Sequence, residues 1–287
     1  MIDNMPVLIF LHIPKTAGTT LNILLENHFN PAESYSTFPT RMHPSGSLEG
    51  YKKLPQEKIA GLKMVTGHMG FGLHERFSRP VTYVTLLRHP IKRVVSHYLH
   101  EKRDPTSPTH HIIKAGHMDL KEFARYYAEA EMDNLQTRMV AGNWERRGHG
   151  PCDGAMLDQA KANLAERFSV VGLSKAFNTF YLLLCRKMGW RPRFYVRHNQ
   201  NQGQTANAAS ALDGETRAKI ESYNQFDFAL YEYGELLLNE LVSAQDKGFA
   251  WQLHRYHLLN KVYQWYWAGR RVSVRTWLAS TSAVRAK

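Results

Sequence analysis

Cysteine is nearly absent: Cys152 and Cys185 are the only two in 287 residues. That is too few for a disulfide framework and suits a reducing compartment. Long apolar runs are missing as well, and the one from Pro6 to Ile13 falls far short of the roughly 20 residues a membrane span needs. The opening residues show no basic n-region and no small-residue cleavage site, so they read as a first core strand rather than a targeting signal. A cytoplasmic location is the resulting expectation. There is no internal repeat, no low-complexity block and no His/Cys/carboxylate set with metal-ligand spacing, so no metal is expected. Gly-x-x-x-x-Gly-Lys-Ser/Thr does not occur, nor does an obvious acidic strand end for magnesium, which weighs against a P-loop kinase or nucleotide hydrolase. The last 38 residues contain not one Asp or Glu.

What is present in excess is positive charge, a formal net of +12, against an ordinary 43% hydrophobic and 22% charged composition. Such a balance favours an anionic partner: a nucleotide, a polysaccharide, a nucleic acid or a membrane surface. The length allows one large α/β domain or two small ones. "VLIFLHI" (7–13) has the continuous apolar pattern of a strand buried on both faces, and "TTLNILLENHF" (19–29) follows with helical spacing. Residues 30–60 hold Pro, Ser and Gly with little periodicity and read as a long surface loop. "GLKMVTGH" (61–68), "VTYVTLLR" (81–88) and "SVVGL" (169–173) read as further strands. Helices are expected from His89, with Pro90 in the first turn, from Asp119 as N-cap, and over 156–168 and 175–189. Residues 103–111 and 142–154 read as loops. Alternating strands and helices predict an α/β fold, a P-loop-like, mostly parallel sheet flanked by helices on both faces.

Ligands of open parallel sheets bind beyond the carboxyl ends of the strands. Three strands deliver polar residues there: the loop Pro14, Lys15, Thr16, Ala17, Gly18, Thr19 and Thr20; His68; and Arg88. Helix-start N–H groups at Thr19 would attract a phosphate, Gly18 would let the backbone approach it, and the three threonines would add hydroxyl donors. A tight turn with a solvated lysine has the same local signature. "LLRHPIKRVVSHY" adds Arg88 at a strand end and Ser96 two turns into the next helix, a pair able to grip a second phosphate.

Together "PKTAGTT" and "RHPxxRxxSxY" resemble the paired nucleotide signatures of type-2 (carbohydrate) sulfotransferases, the first their 5′-phosphosulfate loop and the second their 3′-phosphate segment. "VTGHMGFGL" is similar to the His-Gly-His segment of heparan sulfate and uronyl 2-O-sulfotransferases, with Thr66 at the first histidine and His68 at the second. "AMLDQAKANLAERFSVVGL" and "FDFALYEYGELLL" resemble later segments of the same group, so the likeness runs over roughly residues 7–240. The resemblance implies 3′-phosphoadenosine 5′-phosphosulfate as co-substrate, adenosine 3′,5′-bisphosphate as product, and a hydroxylated acceptor, a glycan or glycolipid. Nucleic acid is not expected as a partner.

Sulfuryl transfer needs in-line geometry, charge stabilisation and a base for the acceptor hydroxyl. Lys15 is expected to stabilise the leaving phosphate and His68 to act as general base. Thr66 departs from the relatives' pattern, and His12 is either a second group approaching the site or a buried strand histidine. In the family, a late segment closes over the nucleotide; here it reads "RFYVRHNQNQGQT", offering Arg197 as a cofactor contact beside His198 and Asn199. A sulfotransferase domain is expected over 1–249 and a basic, Trp-rich helical extension over 250–287. The extension carries seven Lys or Arg and four of the chain's six tryptophans. Leu258, Val262, Trp265 and Gly269 share one helical stripe, so it could lie on a membrane, bind a polyanion, or pack its aromatics on the domain. A catalytically silent polyanion-binding module is the rival to the enzyme reading.

Overall fold

The computed structural model describes residues 5–144, 150–196 and 202–284. Five strands form one sheet: β1 Val7–Leu11, β2 Ser34–Ser36, β3 Met64–Gly67, β4 Val81–Leu87 and β5 Phe168–Leu173. They lie in the order β2-β3-β1-β4-β5 and every pairing is parallel. Val7, Leu8, Ile9, Phe10 and Leu11 in the central strand are all fully buried. Because successive side chains of a strand point to opposite faces, that burial requires cover on both sides of the sheet. The apolar runs at 7–13, 61–68, 81–88 and 169–173 therefore become the strands their composition predicts.

The cover is helical. In chain order the helices are α1 Gly18–Leu25, α2 Leu48–Lys52, α3 Gln56–Gly61, α4 Pro90–Glu101, α5 His110–Lys114, α6 Leu120–Glu129 and α7 Leu135–Ala141. Beyond these come α8 Gly154–Arg167, α9 Phe177–Met188, α10 Gln202–Ser210, α11 Gly214–Tyr223, α12 Gln225–Ser243 and α13 Gly248–Val284, with α4, α5, α6, α10 and α11 sharing a second apolar cluster. Helix α4 starts with Pro90 at a position where its missing N–H costs nothing. Helix α6 starts from Asp119, whose side chain and that of Glu122 form a reciprocal capping box.

The segment 30–60 differs from expectation. It contains α2, α3 and the edge strand β2, which pairs Ser34, Tyr35 and Ser36 with Met64, Val65 and Thr66. A three-residue Ser-Tyr-Ser strand has no apolar run to betray it, and its neighbour β3 supplies the pairing. The loop read over 103–111 runs into α5. The boundary expected at 249/250 falls inside α13, whose Phe249 and Tyr256 are buried in the main core.

Two helices behind the sheet fasten each other. The Asp227 carboxylate of α12 accepts from the N–H groups of Gln136 (3.2 Å) and Thr137 (2.8 Å) and from the Thr137 hydroxyl (2.9 Å). In return, the Asn134 side-chain oxygen accepts from the N–H groups of Phe226 and Asp227. Each helix start thus satisfies the other's orphan donors. Asp227 also faces the buried Arg93 guanidinium at 3.9 Å. Replacing Asp227 with Ala would strand both the α7 amides and a buried cation. The expected loss of stability is about 3–5 kcal/mol, read by urea denaturation, whereas Asp227→Asn should cost clearly less by keeping one acceptor.

Candidate active site

The carboxyl edge of the sheet is assembled by register. Leu11 pairs with Gly67 and with Thr85, so His12, His68 and the residues up to Arg88 all emerge beside one another from β1, β3 and β4. There they border a cavity of about 500 Å³, within the size range of small-ligand sites. Its walls include Pro14, Lys15, Ala17, Gly18, Thr19, Thr20, His68, Arg88 and Ser96, so residues 73 positions apart share one cleft.

The loop after β1 turns through two left-handed residues, Lys15 (φ 70°) and Ala17 (φ 80°). A turn of this kind aims successive N–H groups into one concavity, the arrangement that receives anions. No side chain caps α1 at Ala17, which leaves its first amides directed at the cavity end. Gly18 is required for a reason the sequence did not show: a Cβ there would lie 1.9 Å from the His12 ring. Thr16 departs from expectation. It is fully buried, and its hydroxyl donates to the Ile13 carbonyl at 2.8 Å, so it braces the loop and offers no hydroxyl to the cavity.

Arg88 is held from both sides. Its N–H donates to the Gln136 side-chain oxygen at 2.8 Å, and its carbonyl accepts from the Gln136 amide at 2.9 Å. Its guanidinium donates to the Lys15 carbonyl at 2.8 Å, tying the β4 end to the loop. Ser174, just past β5, sits with its hydroxyl 2.7 Å from the Thr16 carbonyl and 3.0 Å from that of Leu87. Burial, then the Arg103 and Arg88 cations, lowers the Lys15 amine to about 8. Burial, then Arg93, lowers Arg88 to about 10. Both cations are therefore under-compensated by the protein itself.

His68 has one defined tautomer. Its Nδ1 lies 2.7 Å from the His12 main-chain carbonyl, which can only accept, so Nδ1 carries the proton and Nε2 keeps its lone pair. Gly67, with φ 129°, makes the turn, and the Thr37 hydroxyl holds the His68 carbonyl at 3.1 Å. Burial, with a smaller contribution from Lys15, lowers the imidazole below its ordinary value, against the raising effect of the His12 carbonyl. The ring is flanked by Phe38 at 4.4 Å and by His12 at 4.6 Å between centroids. Thr66 donates to the Asn22 side-chain oxygen at 2.6 Å. The Asn22 amide in turn reaches His12 Nδ1 at 3.5 Å. His12 thus answers both readings of it: it is a buried strand-end histidine and it lines the cavity.

One wall was not anticipated. His97, His100, Glu101, Arg103 and Asp104 line the cavity from α4 and the loop after it, and Ser174, Phe177 and Tyr195 from beyond β5. The α4 residues follow Ser96 at helical spacing, a signal available once Ser96 was placed on the helix. Glu101 accepts from Tyr127 at 2.5 Å and from the Thr109 hydroxyl, and pairs with His97 at 3.0 Å. Burial acts to raise its pKa, but these partners outweigh it and hold the carboxyl at about 2. Arg197, His198 and Asn199 lie outside the described residues. Among the described residues no three His, Cys, Asp or Glu side chains gather as they would around a metal ion.

A profile of the sulfotransferase family matches residues 1–234. Among solved structures, the chain is similar to a sulfotransferase from Alicyclobacillus acidocaldarius, with 15% identity over 79% of this chain and 99% of that one, at a TM-score of 0.37. It is also similar to mouse sulfotransferase SULT7A1 complexed with PAP, with 13% identity over 76% of this chain and 88% of that one, at a TM-score of 0.22. No curated protein sequence matches. The family match takes in all five strands and every cavity residue from His12 to Thr205, and on that ground the chain belongs to the sulfotransferase family.

Proposed function

We propose that the protein transfers a sulfuryl group from 3′-phosphoadenosine 5′-phosphosulfate to a carbohydrate hydroxyl. The observation that carries this reading is the pairing, in one cavity, of under-compensated cations with a neutral imidazole whose free nitrogen is an acceptor. The bound nucleotide supplies the activated sulfuryl group, and the rest falls to this chain. Lys15 and the open start of α1 meet the 5′ end and stabilise the phosphate that departs as its bond to sulfur breaks. Arg88 and Ser96 receive the 3′-phosphate. His68 Nε2 takes the proton of the acceptor hydroxyl as that oxygen bonds to sulfur. His12, through its carbonyl, fixes the tautomer that makes this transfer possible. Phe38 beside His68 offers an apolar face on which a sugar ring can rest.

Calorimetry with adenosine 3′,5′-bisphosphate tests the nucleotide half, and a glycan screen with radiolabelled donor tests the acceptor half. Arg88→Ala should weaken nucleotide binding by about 2–5 kcal/mol, because a buried charged contact is lost. Lys15→Ala and His68→Gln should each cut transfer by roughly 100-fold or more, and only the first should also weaken nucleotide binding. A His68→Gln enzyme with unchanged turnover would remove the base from this mechanism.

The pH dependence has a definite sign. Free protein loses the Lys15 charge above about 8, and a bound anion restores it by raising that pKa. Nucleotide affinity should therefore fall as pH rises through 8, by at most about tenfold per unit, and Lys15→Ala should flatten the trend. On the acid side, transfer should persist below the ordinary imidazole value of 6.5, because His68 titrates lower. A profile of kcat/KM against pH reads both limbs.

A further inference from the structure

Helix α13 carries two different faces. On one, Phe249, Tyr256 and Asn260 are buried against the domain at 2%, 6% and 1% exposure. That face also serves the cavity: Asn260 Oδ1 accepts from the N–H of Tyr195 at 2.8 Å, and the Tyr256 hydroxyl donates to the Arg193 carbonyl at 2.7 Å. On the opposite face, Trp251, Leu258, Val262 and Trp265 stand out at 65%, 50%, 61% and 78% exposure. Residues seven apart drift only about 20° around a helix, so 251, 258 and 265 form one straight line, with Val262 beside it. Large apolar side chains aligned in water mark an interaction surface.

We propose that this face docks the protein on an anionic lipid bilayer, with α13 lying in the plane of the interface. The charge pattern selects the occupant. Arg255 and Lys261 flank the stripe, both exposed, and the Arg255 guanidinium rests over the Trp251 ring at 5.4 Å. Arg270, Arg271 and Arg275 follow in the sequence, and residues 250–287 contain no acidic side chain. A second copy would bring two such helices together with no opposite charge between them. A polysaccharide or nucleic acid would satisfy the cations and leave the tryptophan stripe in water. An anionic membrane surface satisfies both, with indoles at the headgroup boundary and basic side chains toward the phosphates. No helix among the described residues is long and apolar enough to cross a membrane, so contact by α13 is peripheral. The inference does not depend on the chemistry assigned to the cavity.

The test is sedimentation of the full chain with vesicles of phosphatidylcholine, alone or mixed with phosphatidylglycerol, while tryptophan emission is recorded. Binding to the mixed vesicles should exceed that to neutral ones by roughly tenfold or more, fall with added salt, and shift the emission to the blue. The double variant Trp251→Ser/Trp265→Ser should lose roughly tenfold of that binding. Both sites are exposed, so its melting temperature and nucleotide binding should match the parent, and a charge variant, Arg255→Gln/Lys261→Gln, gives an independent reading. Absence of binding, equal binding to neutral vesicles, or binding that ignores the tryptophans as a heparin-type contact would, each overturns the proposal. So does a concentration-dependent dimer that the tryptophan substitutions abolish.

Discussion

Two half-buried cations, Lys15 and Arg88, face one cavity with little anion to balance them. Lys15 and Arg88 emerge from adjacent strands, and burial together with neighbouring positive charge lowers both. The backbone that carries Arg88 is fastened by groups other than the two cations. The fastening is visible: Gln136 grips Arg88 through both backbone polar groups, and Gln136 belongs to α7, whose start is tied to α12 through Asp227 and Asn134. The anchorage extends from α12 through α7 to Arg88 and onward to the Lys15 carbonyl. An anionic ligand relieves the mismatch that the fold maintains, which is why the strongest physical signal at the site is for an anion.

The imidazole side of the cavity obeys a complementary logic. His12 and His68 are each the residue after a register pair, Leu11 with Gly67, so parallel pairing itself brings their rings together. Near Lys15, and with little water, neither ring gains by taking a proton, and both are lowered. The pair therefore adds no charge where cations are already crowded, and it leaves Nε2 of His68 as a lone-pair acceptor. Thr66 fits this economy: a third imidazole in its place would have to find partners in the buried space that Asn22 now fills.

Four of the five strands were legible because a strand covered on both faces must be apolar throughout, and Val7–Leu11 is the extreme case. Strand β2 was not, since three residues at an edge need only backbone pairing. The cavity residues from Pro14 to Thr20, His68 and Arg88 were legible as strand ends and a helix start, and Ser96 by its spacing from Arg88, with Thr16 the exception because its hydroxyl turns inward to the Ile13 carbonyl. The wall from His97 to Asp104 escaped because in the sequence each residue reads as an ordinary residue of a helix or of the loop after it, and its meaning depends on which face of α4 borders the cavity. The role of Gly18 escaped for a similar reason, its contact being with a ring six residues earlier in the chain.

Helix α13 unites these themes, since its two faces answer to different solvents. The buried face is short of charge and supplies Asn260 and Tyr256 to the backbone of 193–195, so part of the cavity wall depends on a helix that begins after the other core elements are complete. The outer face gains nothing from the domain, yet it keeps tryptophans that cost solubility in water. One element thus serves two ends, pinning the Tyr195 backbone of the cavity wall through Asn260 while it presents the tryptophan stripe to solvent.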